Sequence, residues 1–73
     1  MQRNNLKNIR NTLKMSQLQL ANALNLSIED MAQLEAERKH LHVSVCVRVV
    51  EIARKKGVHL RYLDVFTRPE DRY

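Results

Sequence analysis

Gln17 to Ala36, QLQLANALNLSIEDMAQLEA, is the stretch that decides how this chain folds. It holds two short amphipathic segments with a tight turn between them. Just ahead of it, the Ser16 hydroxyl can accept a first-turn backbone N–H, while Gln19 can reach back to the N–H of Ser16, the reciprocal pairing of a capping box. Leu20, Ala21 and Leu24 then share one stripe of a helix, and Gln17, Leu18, Gln19, Asn22 and Ala23 fall on its other faces. Asn25 tolerates the left-handed backbone that a sharp turn demands, and Leu26 is the apolar plug of that turn. Ser27 caps a second helix at once. Asp30 completes an S-x-x-D box and suits the positive helix N-terminus, while Met31, Leu34 and Glu35 share the inward face. Ala21 is small where two crossing helices must approach closely.

Working outward from this pair, Leu6, Ile9 and Leu13 recur at i, i+3 and i+7, which predicts a first helix over about residues 5–14, with Asn4 and Asn5 as candidate caps. After Ala36 the run ERKHLH has no periodicity and reads as a positively charged loop. From Ser44, SVCVRVVEIARKKG fits a fourth helix with Val45, Val49, Ile52 and Ala53 inward, a basic last turn and Gly57 at the C′ position. Val43, Val45, Val47 and Val49 also alternate with period two, as a β-branched strand would. Helix is preferred, because the basic last turn and glycine stop are helix signals and a lone strand needs a partner. Leu60, Leu63, Val65 and Phe66 supply a short fifth helix, and the tail from Pro69, RPEDRY, is expected to fray, leaving residues 68–73 outside the packed domain. With one Gly and one Pro there are few breaks, so residues 1–73 read as a single all-α domain.

Thirteen Lys and Arg against eight Asp and Glu leave a net charge of +5, which attracts polyanions but by itself marks only a solvated surface. A chain of 73 residues buries only roughly 60% of its unfolded surface, which favours a dimer. The lone Cys46 cannot form an intramolecular disulfide and reads as a small buried apolar residue. His40, His42 and His59 lack a Cys or carboxylate cluster at ligand spacing, so no metal is expected. No Ser-His-Asp or Cys-His frame and no glycine-rich phosphate loop is present, so the chain reads as a non-enzyme with no cofactor and no evident small-molecule ligand. There is no long apolar run, cleavable signal or lipidation motif; no membrane association and a cytoplasmic site of action are expected.

Five helices with a tight second-to-third turn resemble the lambda-repressor-like helix-turn-helix family, in its phage Cro and repressor type. The resemblance rests on Arg10; Ser16, Gln17, Leu20 and Ala21 as S-Q-x-x-L-A; Leu24 to Ser27 as the turn; Met31 and Leu34 followed by Glu35; and Ile52, Ala53, Gly57, Val58 and Leu63 as the closing pattern. It spans residues 6–66. It implies a compact five-helix DNA-binding domain with the helix-turn-helix over about residues 16–37, acting in a prokaryotic or phage-infected cell close to the nucleoid. Arg10 and Glu35 resemble the family's ion pair between helices one and three, and Gln17 its phosphate-clamping glutamine. The family usually carries Gly in the turn and after the recognition helix; here Asn25 and Glu37 hold those places, which leaves open whether the third helix stops at Ala36 or runs on through Arg38.

With Met31, Leu34 and Glu35 inward, Ser27, Ile28, Glu29, Ala32, Gln33 and Ala36 project outward on a helix that the resemblance places in the major groove. Gln33 can bond two edges of adenine, Glu29 can accept from cytosine, Ile28 and Ala32 can pack on thymine methyls, and Ser27 can bond a base or phosphate. The plainer alternatives are a solvated Gln33, a half-buried Ile28, and dipole complementation by Glu29 and Asp30. Gln17, Arg38, Lys39, Lys14 and Asn11 are the candidate phosphate contacts, with Lys7 in support. Leu60, Tyr62, Leu63, Val65 and Phe66, together with Val43, are candidates for a dimer surface, ordinary core packing being the alternative. The leading expectation is a repressor that binds a pseudo-palindromic double-stranded operator as a homodimer. A protein-interaction module on the same frame, such as an antitoxin or antirepressor, is the second, and a nonspecific nucleoid binder the third.

Overall fold

Four successive helices stop at a residue whose backbone turns left-handed, and that repeated stop shapes the molecule. The structure, a computed structural model, describes residues 4–66; the tail expected to fray lies outside the described residues. Within them run α1 (Leu6–Thr12), α2 (Gln17–Ala23), α3 (Ile28–Glu35), α4 (Val43–Lys55) and α5 (Tyr62–Phe66), with no strand. After α1, α2, α3 and α4 the left-handed residues are Lys14 (φ 57°), Asn25 (φ 59°), Glu37 (φ 62°) and Gly57 (φ 82°).

Each stop carries the paired hydrogen bonds of a Schellman motif. Met15 N–H donates to Arg10 O at 3.1 Å, Leu26 to Ala21 at 2.8 Å, Arg38 to Gln33 at 2.9 Å and Val58 to Ala53 at 2.8 Å, and in each case the left-handed residue's own N–H is bound one position nearer. Three of these closing residues, Met15, Leu26 and Val58, also pack on the core. The third helix therefore does not run on through Arg38: it ends at Glu35 with Ala36 as its cap, because Glu37 accepts the left-handed turn that glycine usually takes.

The helix starts are equally local for α2 and α3. The capping box at Ser16 and Gln19 is complete. At α3 only half of the expected box forms: Ser27 Oγ accepts from Asp30 N–H at 3.1 Å, whereas the Asp30 carboxylate accepts from Lys39. At α1 the Asn5 side chain does not cap; the first helical N–H, of Leu6, donates to Asn4 Oδ1 at 3.1 Å. Helix α1 is correspondingly shorter than the pattern predicts.

Helices of seven or eight residues are marginal alone, so packing must hold them. Leu6, Leu20, Ala21, Met31, Val49, Ala53 and Val65 are wholly buried, with Ile9, Leu13, Leu24, Leu34, Leu41 and Cys46 nearly so. Truncating Leu20 or Met31 to Ala would cost about 2–5 kcal/mol. In α4 the alternating valines resolve as helix: Cys46, Val49 and Ala53, at i, i+3 and i+7, form the buried stripe, and Val43 is left 72% exposed. Leu41, in the loop before α4, is a core residue that the absence of periodicity around it hides. The radius of gyration, 11.2 Å, matches a packed domain of this size, roughly 11 Å.

The two ends meet. Asn5 N–H donates to Val65 O at 2.8 Å, and buried Asn4 donates through Nδ2 to Leu34 O at 2.7 Å, tying the residues before α1 to both α5 and the end of α3. Cys46 Sγ lies 3.8 Å from Tyr62 O, and burial pushes its thiol pKa up.

Candidate functional site

Helix α3 is fixed in rotation by two core residues and by one ion pair. Met31 at 0% and Leu34 at 5% exposure face the interior, so the opposite face must look outward. Ser27, Ile28, Glu29, Ala32, Gln33 and Ala36, the six residues assigned to base contact from sequence, are all exposed on that face.

Glu35 closes the far end. Arg10 on α1 grips it as a fork, Nε to Oε2 at 2.7 Å and Nη2 to Oε1 at 3.1 Å, while Nη1 donates to the Met15 carbonyl at 3.2 Å. The pair is largely withdrawn from water, with side-chain exposures of 15% for Arg10 and 6% for Glu35. Such a bidentate contact fixes direction as well as distance. Gln17 Nε2 adds a longer bond to Glu35 Oε1 at 3.3 Å. One carboxylate therefore joins the last turn of α3 to α1 and to the first turn of α2, and α3 cannot roll without breaking it. Gln17 is only partly exposed, and one N–H of its amide is directed at Glu35.

Of the other residues assigned to phosphate, Asn11, Lys14, Arg38 and Lys39 are all exposed. Among the described residues Lys39, unlike Lys14 and Arg38, is ion-paired: its Nζ lies 2.6 Å from Asp30 Oδ1. The ammonium, by hydrogen bond and by charge, holds the Asp30 carboxyl below its ordinary pKa, with the Ser27 contact adding to the effect. Beside this pair a groove of about 410 Å³ opens between α3, the 38–42 loop and α4, lined by Leu26, Asp30, Leu34, Lys39, His40, His42 and Val45. Among the described residues no three His, Cys, Asp or Glu side chains gather as a metal site, and no helix is long and apolar enough to cross a membrane.

The residues expected at a dimer surface divide. Val65 is wholly buried in its own chain, because α5 needs one side chain to seat it on the core, and it is removed from that set. Leu60 and Phe66 pack partly against the core, while Tyr62 and Leu63 stay 56% and 58% exposed. Sequence reading missed the Asn4 tether and the Lys39–Asp30 contact; the second joins residues nine positions apart through a loop, where no periodic rule applies.

No family model, curated protein or solved structure matches this chain.

Proposed function

We propose that the chain is a sequence-specific double-stranded DNA-binding regulator, a Cro-type repressor acting as a homodimer, in which α2 and α3 form a lambda-repressor-like helix-turn-helix and α3 enters the major groove. The observation that carries this reading is α3 itself: six exposed residues, mixed in polarity, on a helix whose roll is fixed by Met31, Leu34 and the Arg10–Glu35 fork. Direct readout needs such a rigid display, since a misplaced helix loses its bidentate contacts. Gln33 would read adenine, Ile28 and Ala32 thymine methyls; Lys14 and Arg38 would hold phosphates to either side. Two copies, joined through Tyr62 and Leu63, would set their α3 helices about 34 Å apart on one face of the duplex.

Exposed Leu18 and Ile28 beside a face without Arg or Lys favour a second reading, a protein-docking module on the same frame. Selection from a pool of random duplexes separates the two. The repressor reading expects an enriched, roughly palindromic site, whose binding is lost on Gln33→Ala and Arg38→Gln while the far-UV spectrum is unchanged. A folded protein that enriches nothing supports the docking module.

A further inference from the structure

The Lys39–Asp30 pair sits at the rim of the face that α3 presents. Asp30 lies one turn before Gln33, and its carboxylate, freed from the usual reciprocal cap, points at Lys39 across the loop. Both side chains are about half exposed, 50% for Lys39 and 43% for Asp30, so the pair can open without burying or stranding a charge. His40 and His42 line the adjoining groove over Leu26, Leu34 and Val45, and Arg38 precedes Lys39 with no ion pair to a described residue. A lysine ammonium is a point charge on a flexible stem, able to exchange one oxyanion for another. Carboxylate and phosphate are alternative partners for it, and it cannot fully neutralise both.

We infer that Asp30 competes with DNA phosphate for the Lys39 ammonium and so limits the sequence-independent part of the affinity. This rests on the DNA-binding reading. It assigns Asp30 a role that makes no contact with a base: an internal stand-in for phosphate that keeps one cation engaged while arbitrary duplex is bound. Binding to arbitrary DNA is thereby weaker, and less sensitive to salt, than the basic charge of the surface suggests.

The test is a four-protein cycle of wild type, Asp30→Asn, Lys39→Gln and the double variant. Each is titrated against a random-sequence duplex between about 50 and 200 mM salt, where the affinity slope counts phosphates neutralised. Asp30→Asn keeps the backbone cap to Ser27, and far-UV dichroism checks all four folds. The expected result is a slope steeper by about 0.9 for Asp30→Asn, and roughly two- to five-fold tighter binding. Both gains vanish in the double variant, and Lys39→Gln alone changes little. Equal gains in the Lys39→Gln background would show a general charge effect and overturn the inference, as would no gain at all. Folded proteins none of which binds duplex DNA would overturn both this inference and the reading beneath it, an outcome distinct from the other two.

Discussion

Replacing Glu35 with Gln removes the charge from the fork while keeping its size, and leaves Arg10 facing an amide from a site only 15% exposed. Stripping one partner from a fully buried pair costs about 3–5 kcal/mol. Arg10 retains the Met15 carbonyl and some access to water, so the cost here falls to about 2 kcal/mol. A domain of this size holds roughly 4–11 kcal/mol in total, so the variant stays folded at 25 °C and its melting midpoint drops by roughly 8–16 °C. Arg10→Met combined with Glu35→Leu removes both charges at once and fills the space with apolar groups, and should recover most of the loss. Urea unfolding of wild type, Arg10→Met, Glu35→Leu and the double variant, followed by far-UV dichroism with stabilities extrapolated to water, gives the corners of the cycle. If Glu35→Gln cost under about 0.5 kcal/mol, or if the double variant lost the sum of the single losses, the fork would be no more than a surface contact and the argument for a fixed α3 would fail.

Other outcomes follow from the helix stops and from Asp30. Lys14→Gly relieves a left-handed side chain worth about 1–2 kcal/mol against a glycine entropy cost of about 0.5–1 kcal/mol, so a thermal melt should show a small net stabilisation; under the proposed function, the lost charge should also weaken duplex binding. Gly57→Ala should be destabilising by about 1 kcal/mol: a Cβ there meets nothing within 4 Å, so the whole loss is backbone strain at φ 82°, and a melt no lower than wild type would refute that account. The Asp30 carboxyl is depressed in the folded state by Lys39, so its contribution is present above the unfolded carboxyl pKa and lost as pH falls through the folded one. Unfolding curves of wild type and Asp30→Asn should therefore differ slightly at neutral pH and converge in acid.

The core and the helix starts were legible because they depend on neighbours in the chain. Leu6, Ile9 and Leu13, or Met31 and Leu34, reveal a buried face by spacing alone, and Ser16 with Gln19 is a cap wherever it falls. For Val43 to Val49 the pattern was double, and the tertiary surface chose: the stripe of Cys46, Val49 and Ala53 has a wide core to cover, whereas a strand would have had nothing to pair with. The left-handed stop at Lys14 was hidden because lysine does not prefer that backbone, and the usable signal lay one place later, in apolar Met15; Glu37 stood out only as the residue where the resemblance expects glycine, which left the helix end open. Leu41, the Asn4 tether and the Lys39–Asp30 pair depend on where loops come to rest, and on the site the same division holds. The outward set on α3 follows from helix rotation, while the engagement of Gln17 by Glu35 and of Lys39 by Asp30 follows only from the packed structure.

The bond between Asn5 and Val65 has a consequence for the order of assembly. It joins residues sixty positions apart, and closing such a loop from an open coil costs about 3–4 kcal/mol in chain entropy. The Schellman stops and serine caps, in contrast, are settled within six residues of chain and ask for no distant partner. Nucleation therefore belongs to the middle of the sequence, where α2 and α3 meet across a four-residue connection, and α1 and α4 add to a surface already present. By the time α5 arrives, Asn5 is held in place, and the sixty-residue closure has become a short final step: a fold latched at its ends and started at its centre.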